Sequence, residues 1–321
     1  MVAAAITLEA TPIPANAVGQ LLSVCQSGPP ACQYSSIQAA INAASTGATI
    51  VITTGTYSAP LNTDGKNLDL LGAGGGQTTI AASGSFEKVV EIDSGSVMLA
   101  HVTIVSDFMG GSGIYNAGTL TLNDTTVLGN ASTGQTNGAD ILNAGTATLN
   151  DSTIADNIGE SGGGIYNDGS LTLNDTTVSG NAAVAGGGIF NYGTATLNGS
   201  TVSDNTGNNP TEHALDGGGG IFNDGTLTMT LTRVTGNTLP AYFPAGGGGI
   251  FNEGTATLLL SLVSGNTSET SNGGGGIYNV NMLTLVLSAV TGNCASANAD
   301  LFNGGTLKQF LSVVSGNSCP S

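Results

Sequence analysis

The sequence contains no tryptophan and only four basic residues among 321, namely Lys66, Lys88, Arg233 and Lys308. Binding to nucleic acid requires clustered Lys and Arg side chains, so this scarcity excludes nucleic acid as a partner. With 21 acidic residues the formal net charge is −17, which also disfavours anionic membranes and anionic polysaccharides as tight ligands. No stretch is apolar and long enough to predict a membrane span.

Large side chains for a conventional core are scarce as well, because aromatic residues make up 5% of the chain and glycine occurs 51 times. The hydrophobic fraction of 40% nevertheless argues against disorder. A chain of this composition can bury a narrow core if small coils stack and share it. The composition therefore predicts one repetitive body.

The four cysteines form two local pairs, Cys25 with Cys32 and Cys294 with Cys319. The second pair is separated by about one coil, and a coil rise of ~4.8 Å fits the Cα separation of a disulfide. Two disulfides predict a location outside the cytoplasm, either extracellular or at a cell surface.

An apolar-aromatic-Asn triplet recurs along the chain, and a second Asn follows each triplet Asn after fourteen residues. The distance to the next triplet varies between copies, which indicates a solenoid whose insertions leave at one site of each coil. The first Asn of each copy is Asn116, Asn143, Asn167, Asn191, Asn223, Asn252, Asn279 or Asn303. The second is Asn130, Asn157, Asn181, Asn205, Asn237, Asn266, Asn293 or Asn317.

Between the two Asn residues, apolar side chains alternate with a period of two, as in Leu120 and Leu122, which is the signature of a strand. The pattern predicts an all-β right-handed parallel β-helix with aliphatic stacks along its axis. We expect the two Asn columns to form structural ladders in which each side-chain amide bonds to the next coil.

Two segments resemble known families. Gly162–Asn174 resembles the repeats of bacterial right-handed β-helix surface proteins, which include the polymorphic outer-membrane proteins. The stretch from Ser36 to Tyr57 is similar to the opening of pectin-lyase-like β-helices, where a short amphipathic helix caps the first coil. Ile37, Ala40 and Ile41 fall on one helical face and support that helix.

These observations divide the chain into three parts. Residues 1–17 are a signal-peptide remnant or an extended N-terminal arm. Residues 18–48 form an N-terminal cap with a helix. Residues 49–321 form a single β-helix domain, with irregular coils to about 92 and regular repeats over 93–317.

The sequence shows no convincing catalytic constellation. A lyase acting on a uronate needs a strong base with carboxylate-bound Ca²⁺, and Arg233 is isolated in its coil. A hydrolase needs paired carboxylates, yet no two Asp residues are adjacent in the sequence, and His101 and His213 lie in different regions. We therefore expect a non-enzymatic, adhesin-like or structural protein without a cofactor. The alternative is a polysaccharide-active lyase or hydrolase of the pectin-lyase-like fold.

Two surface columns suggest further alternatives. Asp124, Asp151 and Asp175 stack in three successive coils and are weak candidate ligands for Ca²⁺, although a solvated turn is the favoured interpretation. The outward pairs that run from Thr119/Thr121 to Thr255/Thr257 resemble the ice-binding face of β-helical antifreeze proteins. Thr is also an ordinary outward residue of strands.

The last four coils carry an apolar column where earlier coils carry Asp or Gly. Leu231, Leu260, Leu287 and Leu311 form this column. It either packs beneath the long insertion Leu239–Pro244 or is a candidate self-association strip. Val2–Leu8 is an apolar arm that is able to pair with a neighbouring molecule, so end-to-end filaments are an alternative. The expected partners are therefore a second copy of the chain, or surface glycans and proteins.

Overall fold

The computed structural model describes residues 19–74, 76–82, 88–106, 112–131, 140–207, 217–241, 245–316 and 319. In this part of the chain every strand pairing is parallel, and the strands stack into three long sheets of 12, 11 and 10 strands. Each regular coil contributes one strand to the 10-stranded sheet, then one to the 12-stranded sheet and then one to the 11-stranded sheet. The predicted right-handed parallel β-helix is thereby confirmed.

We call the three long sheets A, B and C. Sheet A contains Leu21–Val24, Ala48–Ile52, Leu68–Leu71, Ser96–Ala100, Thr119–Asn123, Thr146–Asn150, Ser170–Asn174, Thr194–Asn198, Thr226–Thr230, Thr255–Leu259, Met282–Val286 and Thr306–Phe310. Sheet B contains Gly55–Ser58, Thr78–Ala82, Thr103–Ser106, Thr126–Leu128, Thr153–Ala155, Thr177–Ser179, Thr201–Ser203, Arg233–Thr235, Leu262–Ser264, Ala289–Thr291 and Val313–Val314. Sheet C contains Leu61–Asn62, Val90–Ile92, Ile114–Asn116, Ile141–Asn143, Ile165–Asn167, Ile189–Asn191, Ile221–Asn223, Ile250–Asn252, Ile277–Asn279 and Leu301–Asn303.

Two shorter sheets lie between sheets B and C. Sheet D contains Ile158–Ser161, Ala182–Ala185, Thr206–Gly207, Thr238–Leu239, Thr267–Ser268 and Cys294–Ala295. Gly217–Gly218 pairs with Gly246–Gly247 in a sheet of two strands. The varying insertions of the repeat fall in this part of each coil.

The main core is an apolar column along the axis. Residues at equivalent positions of successive coils pair directly, for example Val127 with Ile154, and both are fully buried. Leu120 and Ala147 do the same in sheet A. The alternation of apolar residues in the sequence therefore corresponds to the inward face of the strands.

One short helix, Ile37–Ala43, covers the first coil. The Ser36 side chain accepts a hydrogen bond from the Ala39 amide and caps the helix, while Ile37 and Ile41 are buried. At the other end Lys66 Nζ donates to the carbonyl oxygens of Ile41 (2.7 Å) and Asn42 (3.1 Å). This cation satisfies carbonyls at the negative end of the helix. The predicted capping helix is confirmed.

Buried amides connect the coils at two corners. In sheet C the Nδ2 of each first Asn, from Asn116 to Asn279, donates to the Oδ1 of the next at 2.6–2.7 Å, and the ladder ends at Asn303. After sheet B the second Asn residues bond in the same way from Asn130 to Asn293, at 2.8–3.2 Å. Each buried side-chain amide thus obtains from its neighbour in the ladder the hydrogen bonds that water would otherwise supply.

The ladders end differently from the sequence-based expectation. Asn293 Nδ2 donates to Asp300 Oδ1 at 2.8 Å, so the second ladder closes on a carboxylate of the next loop, while Asn317 lies outside the described residues. At the other end Asn116 pairs with Ile92, so the regular repeat begins one residue earlier than the predicted residue 93. Asn116 Oδ1 has no hydrogen-bond partner among the described residues because Ile92 offers no amide.

Both predicted disulfides are present, which confirms that part of the sequence interpretation. Cys25 and Cys32 have a Cα separation of 5.9 Å, and Cys294 and Cys319 one of 4.6 Å. The second bond joins Cys319 to the preceding coil. In the described residues no helix has the length and apolar character needed to cross a membrane.

Asp140 is a buried carboxylic acid in the wall of the coil. It precedes Ile141 at the position that Gly164 and Gly188 hold in the next coils, where a side chain would press against a ladder Asn. Asp140 is fully buried, and neither of its carboxyl oxygens has a hydrogen-bond partner among the described residues. Burial raises the pKa of Asp140 well above its ordinary value of 3.8, because the charged form loses its hydration.

The first prediction concerns the buried ladder. We expect Asn191→Ala to lower the free energy of unfolding by about 2–5 kcal/mol, because it removes two ladder bonds and leaves the buried amides of Asn167 and Asn223 each without one partner. Asn198→Ala removes only one bond of a partly buried amide and is the control, with an expected loss below about 1 kcal/mol. Denaturant unfolding measures both, and equal losses would contradict a special role for the buried ladder.

The second prediction concerns pH. A buried acid whose pKa is raised binds its proton more tightly in the folded chain, so stability should fall as the pH rises above about 4. We expect Asp140→Gly to remove that decline and to increase stability at pH 7–8. Asp151→Gly alters an exposed turn carboxylate with positive φ and should keep the decline. Thermal unfolding across pH 4–8 checks this, and an unchanged pH profile in Asp140→Gly would refute it.

Candidate functional site

The corner between sheets C and A carries an acidic and aromatic cluster. The residue after each first Asn is at the same position in every coil, and its backbone N–H donates to the ladder Asn carbonyl of the preceding coil. In four successive coils this residue is Asp168, Tyr192, Asp224 and Glu253, which together we call the acidic corner. Their backbones are therefore stacked at intervals of one coil, or ~4.8 Å.

Tyr192 is the exposed ring of this corner. Its side chain rests against Phe190, with ring centroids 4.7 Å apart, and meets Tyr166 edge-on at 6.0 Å. Tyr192 remains 49% exposed although two aromatic neighbours hold it in place. A fixed, half-exposed ring is a suitable platform for an apolar face of a ligand.

Beneath Tyr192 the outward residues of sheet C form a continuous aromatic stack. Its members are Tyr166, Phe190, Phe222, Phe251, Tyr278 and Phe302, with ring centroids 4.2–5.5 Å apart. Phe190, Phe222 and Phe251 are buried. The stack therefore supports the corner from below and contributes little surface of its own.

The carboxylates affect both tyrosines of the corner. Burial raises the pKa of Tyr166 to about 12, with further contributions from the charge of Asp168 and from the hydrogen bond between the Tyr166 hydroxyl and Asp168. Burial also raises the pKa of Tyr192, and the charges of Asp224, Asp168 and Glu253 add to the effect. Both phenols therefore stay protonated at neutral pH and can donate hydrogen bonds.

The outer face of sheet A begins directly beside the acidic corner. Its threonine pairs are in register between coils, for example Thr194 with Thr226 and Thr196 with Thr228. Farther along the same strands, Asn123, Asn150, Asn174 and Asn198 form a third amide ladder with N–O distances of 2.8–2.9 Å. The face is thus a flat array of hydroxyl and amide groups, and the register alone does not test the ice-binding alternative.

The predicted acidic column lies at the opposite edge of sheet A. Asp124, Asp151 and Asp175 occupy equivalent turns with φ of 44–49°. His101 precedes them in the same column, and its Nδ1 lies 2.9 Å from Asp124 Oδ2. Across the described ranges, no three or more His, Cys, Asp or Glu side chains are grouped so that they could hold a metal ion. The column therefore gains no structural support as a Ca²⁺ site, which stays a prediction.

Arg233 borders a shallow depression whose other walls include Leu231, Leu260 and Leu262. Its surroundings combine these leucines with Ser200, Thr201 and Thr232, and it makes no salt bridge in the described part of the chain. This position does not provide the carboxylate-bound cation that a lyase base would need. His213 lies outside the described residues.

Comparison with known proteins gives matches in structure alone, since no family model and no curated protein sequence matches the chain. An alginate lyase from Paenibacillus sp. str. FPU-7 superposes with a TM-score of 0.52 and 14% identity over 91% of this chain and 99% of that one. Pectin methylesterase from carrot superposes with a TM-score of 0.50 and 12% identity over 90% and 88% of the two chains. The chain has the parallel β-helix fold of these enzymes. Their low identities establish the fold alone.

This finding changes part of the sequence interpretation. The prediction of a non-enzymatic protein is contradicted, because these two solved structures of the same fold carry the names of enzymes acting on pectin and alginate. The resemblance to pectin-lyase-like proteins is supported. The resemblance to polymorphic outer-membrane-protein repeats stays a prediction, as does attachment to a cell surface.

The acidic corner was not predicted from the sequence, because its carboxylates are not adjacent in the chain. Asp224 and Glu253 are 29 residues apart and are brought together by the coil. An alignment of the repeats would have placed all four residues in one column. The position looks unremarkable in the earliest copies, where Ala117 and Ala144 occupy it.

Proposed function

We propose that the protein is an extracellular enzyme that hydrolyses a neutral polysaccharide at the acidic corner. The observation that carries this proposal is the half-exposed Tyr192 ring, bordered by Asp168 on one side and by Asp224 and Glu253 on the other. The shared fold with polysaccharide-active enzymes and the two disulfides support the enzyme class and the location.

Tyr192 and the threonine face supply the binding surface. Sugar rings have apolar C–H faces and polar edges, so a ring stacked on Tyr192 would present hydroxyl groups to the nearby carboxylates. The hydroxyl of Thr194, two residues farther along the chain, lies on the same outer face of sheet A. A polymer bound there follows the coil axis, because the same groups repeat every ~4.8 Å.

Asp224 and Glu253 are the proposed reacting pair. They follow Asn223 and Asn252, which are direct partners in sheet C, so their backbones lie one coil (~4.8 Å) apart. Side chains that start at this backbone spacing can bring their carboxyl groups to the separation of about 5–5.5 Å that is typical of glycosidases retaining the anomeric configuration. Asp168 is two coils from Asp224, and its charge contributes to the raised pKa of Tyr166, which suits a positioning role.

The reaction then takes two balanced steps. One acid of the pair protonates the glycosidic oxygen while the other carboxylate bonds to the anomeric carbon, which breaks the bond to the leaving sugar. Water next attacks the anomeric carbon and gives its proton to the first residue, which releases the second carboxylate. Both residues return to their starting states, and no other reactant is consumed.

The charge of the protein determines the class of polysaccharide. With a formal net charge of −17 and three carboxylates at the corner, polyuronate chains are repelled from this surface. A neutral polymer meets no such barrier. The proposal therefore differs from the anionic polymer alginate named for the lyase of similar fold.

The third prediction tests the binding platform. We expect Tyr192→Ala to weaken binding of a neutral oligosaccharide about fivefold, which corresponds to about 1 kcal/mol for a half-exposed ring. Phe310→Ala removes another exposed ring, on the last strand of sheet A, and should leave binding unchanged. Isothermal titration with neutral and uronate oligosaccharides measures both. Equal effects of the two variants, or a preference for uronates, would contradict the site.

The fourth prediction tests the chemistry. We expect Asp224→Asn and Glu253→Gln each to reduce hydrolysis of a neutral polysaccharide by at least about a hundredfold, because each removes one of the two essential carboxyl groups. Asp151→Asn, at the opposite edge of sheet A, is the control and should retain activity. Release of reducing ends gives the rate, and NMR of the fresh product gives the anomeric configuration. Full activity in both corner variants would rule out this reacting pair.

A further inference from the structure

The apolar strip at the corner between sheets A and B is exposed and conformationally costly. Leu231, Leu260, Leu287 and Leu311 are 62%, 48%, 48% and 88% exposed. Their φ angles lie between 49° and 53°, in the left-handed region that bulky residues rarely adopt. Earlier coils have Asp175 and Gly199 at the equivalent turns, and these residue types adopt positive φ at a lower cost. The presence of leucine at these turns therefore needs a reason other than folding.

The strip extends onto both neighbouring sheets. Leu259, Val286 and Phe310 flank it on sheet A, and Leu262, Ala289 and Val313 flank it on sheet B. The only arginine of the sequence, Arg233, lies at one end, beside Leu231 and Leu262. The surface is therefore apolar with one positive charge at its edge, in a protein whose net charge is −17.

The size of the strip argues for a narrow occupant. From Leu231 to Leu311 it spans three coil steps, or ~14 Å. With a width of only three residue columns, it is much smaller than the ~800 Å² that each partner of a stable dimer normally buries. An extended segment of chain fits these dimensions better than a second globular face.

Residues 2–9 have the chemistry and the length for this role. Their sequence, Val-Ala-Ala-Ala-Ile-Thr-Leu-Glu, is apolar except for Thr7 and the last residue, Glu9. Seven steps of an extended chain cover ~23 Å, enough to cross all four leucines. We propose that residues 2–9 of a second copy of this chain bind the apolar strip, with the Glu9 carboxylate paired with Arg233.

The chain's own segment would have to be almost fully extended to reach that position. Gly19 packs against Gly47 at the first coil, and the strand Thr226–Thr230 lies eight strands farther along sheet A, at a distance of ~38 Å. The ten residue steps from Glu9 to Gly19 span at most ~36 Å when fully extended. A second copy has no such restriction on its linker, which favours a contact between molecules, and repeated head-to-tail this contact produces a linear assembly.

The test uses the strip and the segment separately. A fluorescent synthetic peptide of residues 2–10 is titrated into the chain of residues 19–321, with binding followed by anisotropy. We expect saturable binding that is lost in Leu260→Asp and kept in Leu21→Asp, which alters an exposed leucine on the first strand of sheet A. Circular dichroism confirms that both variants are folded.

A charge exchange makes the test specific. Arg233→Glu should weaken binding of the peptide at least tenfold, and a Glu9→Arg peptide should restore it. In sedimentation velocity the complete chain should form oligomers that the 19–321 chain does not form. Failure of the peptide to bind, no recovery on charge exchange, or self-association of the 19–321 chain would each overturn the proposal.

Discussion

The hydrogen bonding between successive coils is the constraint on which the rest of this molecule depends. It places each side chain ~4.8 Å from its equivalent in the next coil, so like groups stack upon like groups. Amides benefit from this spacing, because each Asn both donates and accepts along a ladder such as Asn167 to Asn191. Aromatic rings benefit as well, as the stack of Phe190 on Phe222 shows. Carboxylates repel one another at this spacing, so the stacked pair of Asp224 and Glu253 at the acidic corner carries an electrostatic cost that Tyr192 relieves only between Asp168 and Asp224.

The same spacing explains the glycine-rich segments that precede sheet C. A side chain at Gly188 or Gly276 would lie within 3 Å of a ladder amide, so glycine maintains the close approach of the two strands. Asp300 fills the equivalent position at the end of the second ladder and is satisfied there by Asn293 and Ser315. Asp140 fills it near the beginning without such partners. The position before each sheet C strand is thus held by glycine within the ladder, by the hydrogen-bonded Asp300 at its end and by the buried Asp140 near its beginning.

The fold could be predicted from the sequence because a solenoid repeats its local rules. Alternating apolar residues, the fixed interval between the two Asn columns and the spacing of Cys294 and Cys319 all report the geometry of one coil. The register of the first regular coil was harder to predict from the sequence. Ile92 stands where later coils have the ladder Asn, while the alternation of apolar and polar residues continues unchanged. The acidic corner could not be recognised from local motifs, because Tyr192, Asp224 and Glu253 occupy a position with no repeated residue type. Function here depends on the departures from the repeat, whereas the fold depends on its regularity.

The two candidate surfaces lie at opposite edges of sheet A, and this arrangement makes them compatible. The acidic corner precedes the strands Thr194–Asn198 and Thr226–Thr230, whereas the apolar strip follows the strands from Thr226–Thr230 onward. A five-residue strand separates the two edges by ~17 Å, so a segment bound at the strip leaves Tyr192 and the threonine face uncovered.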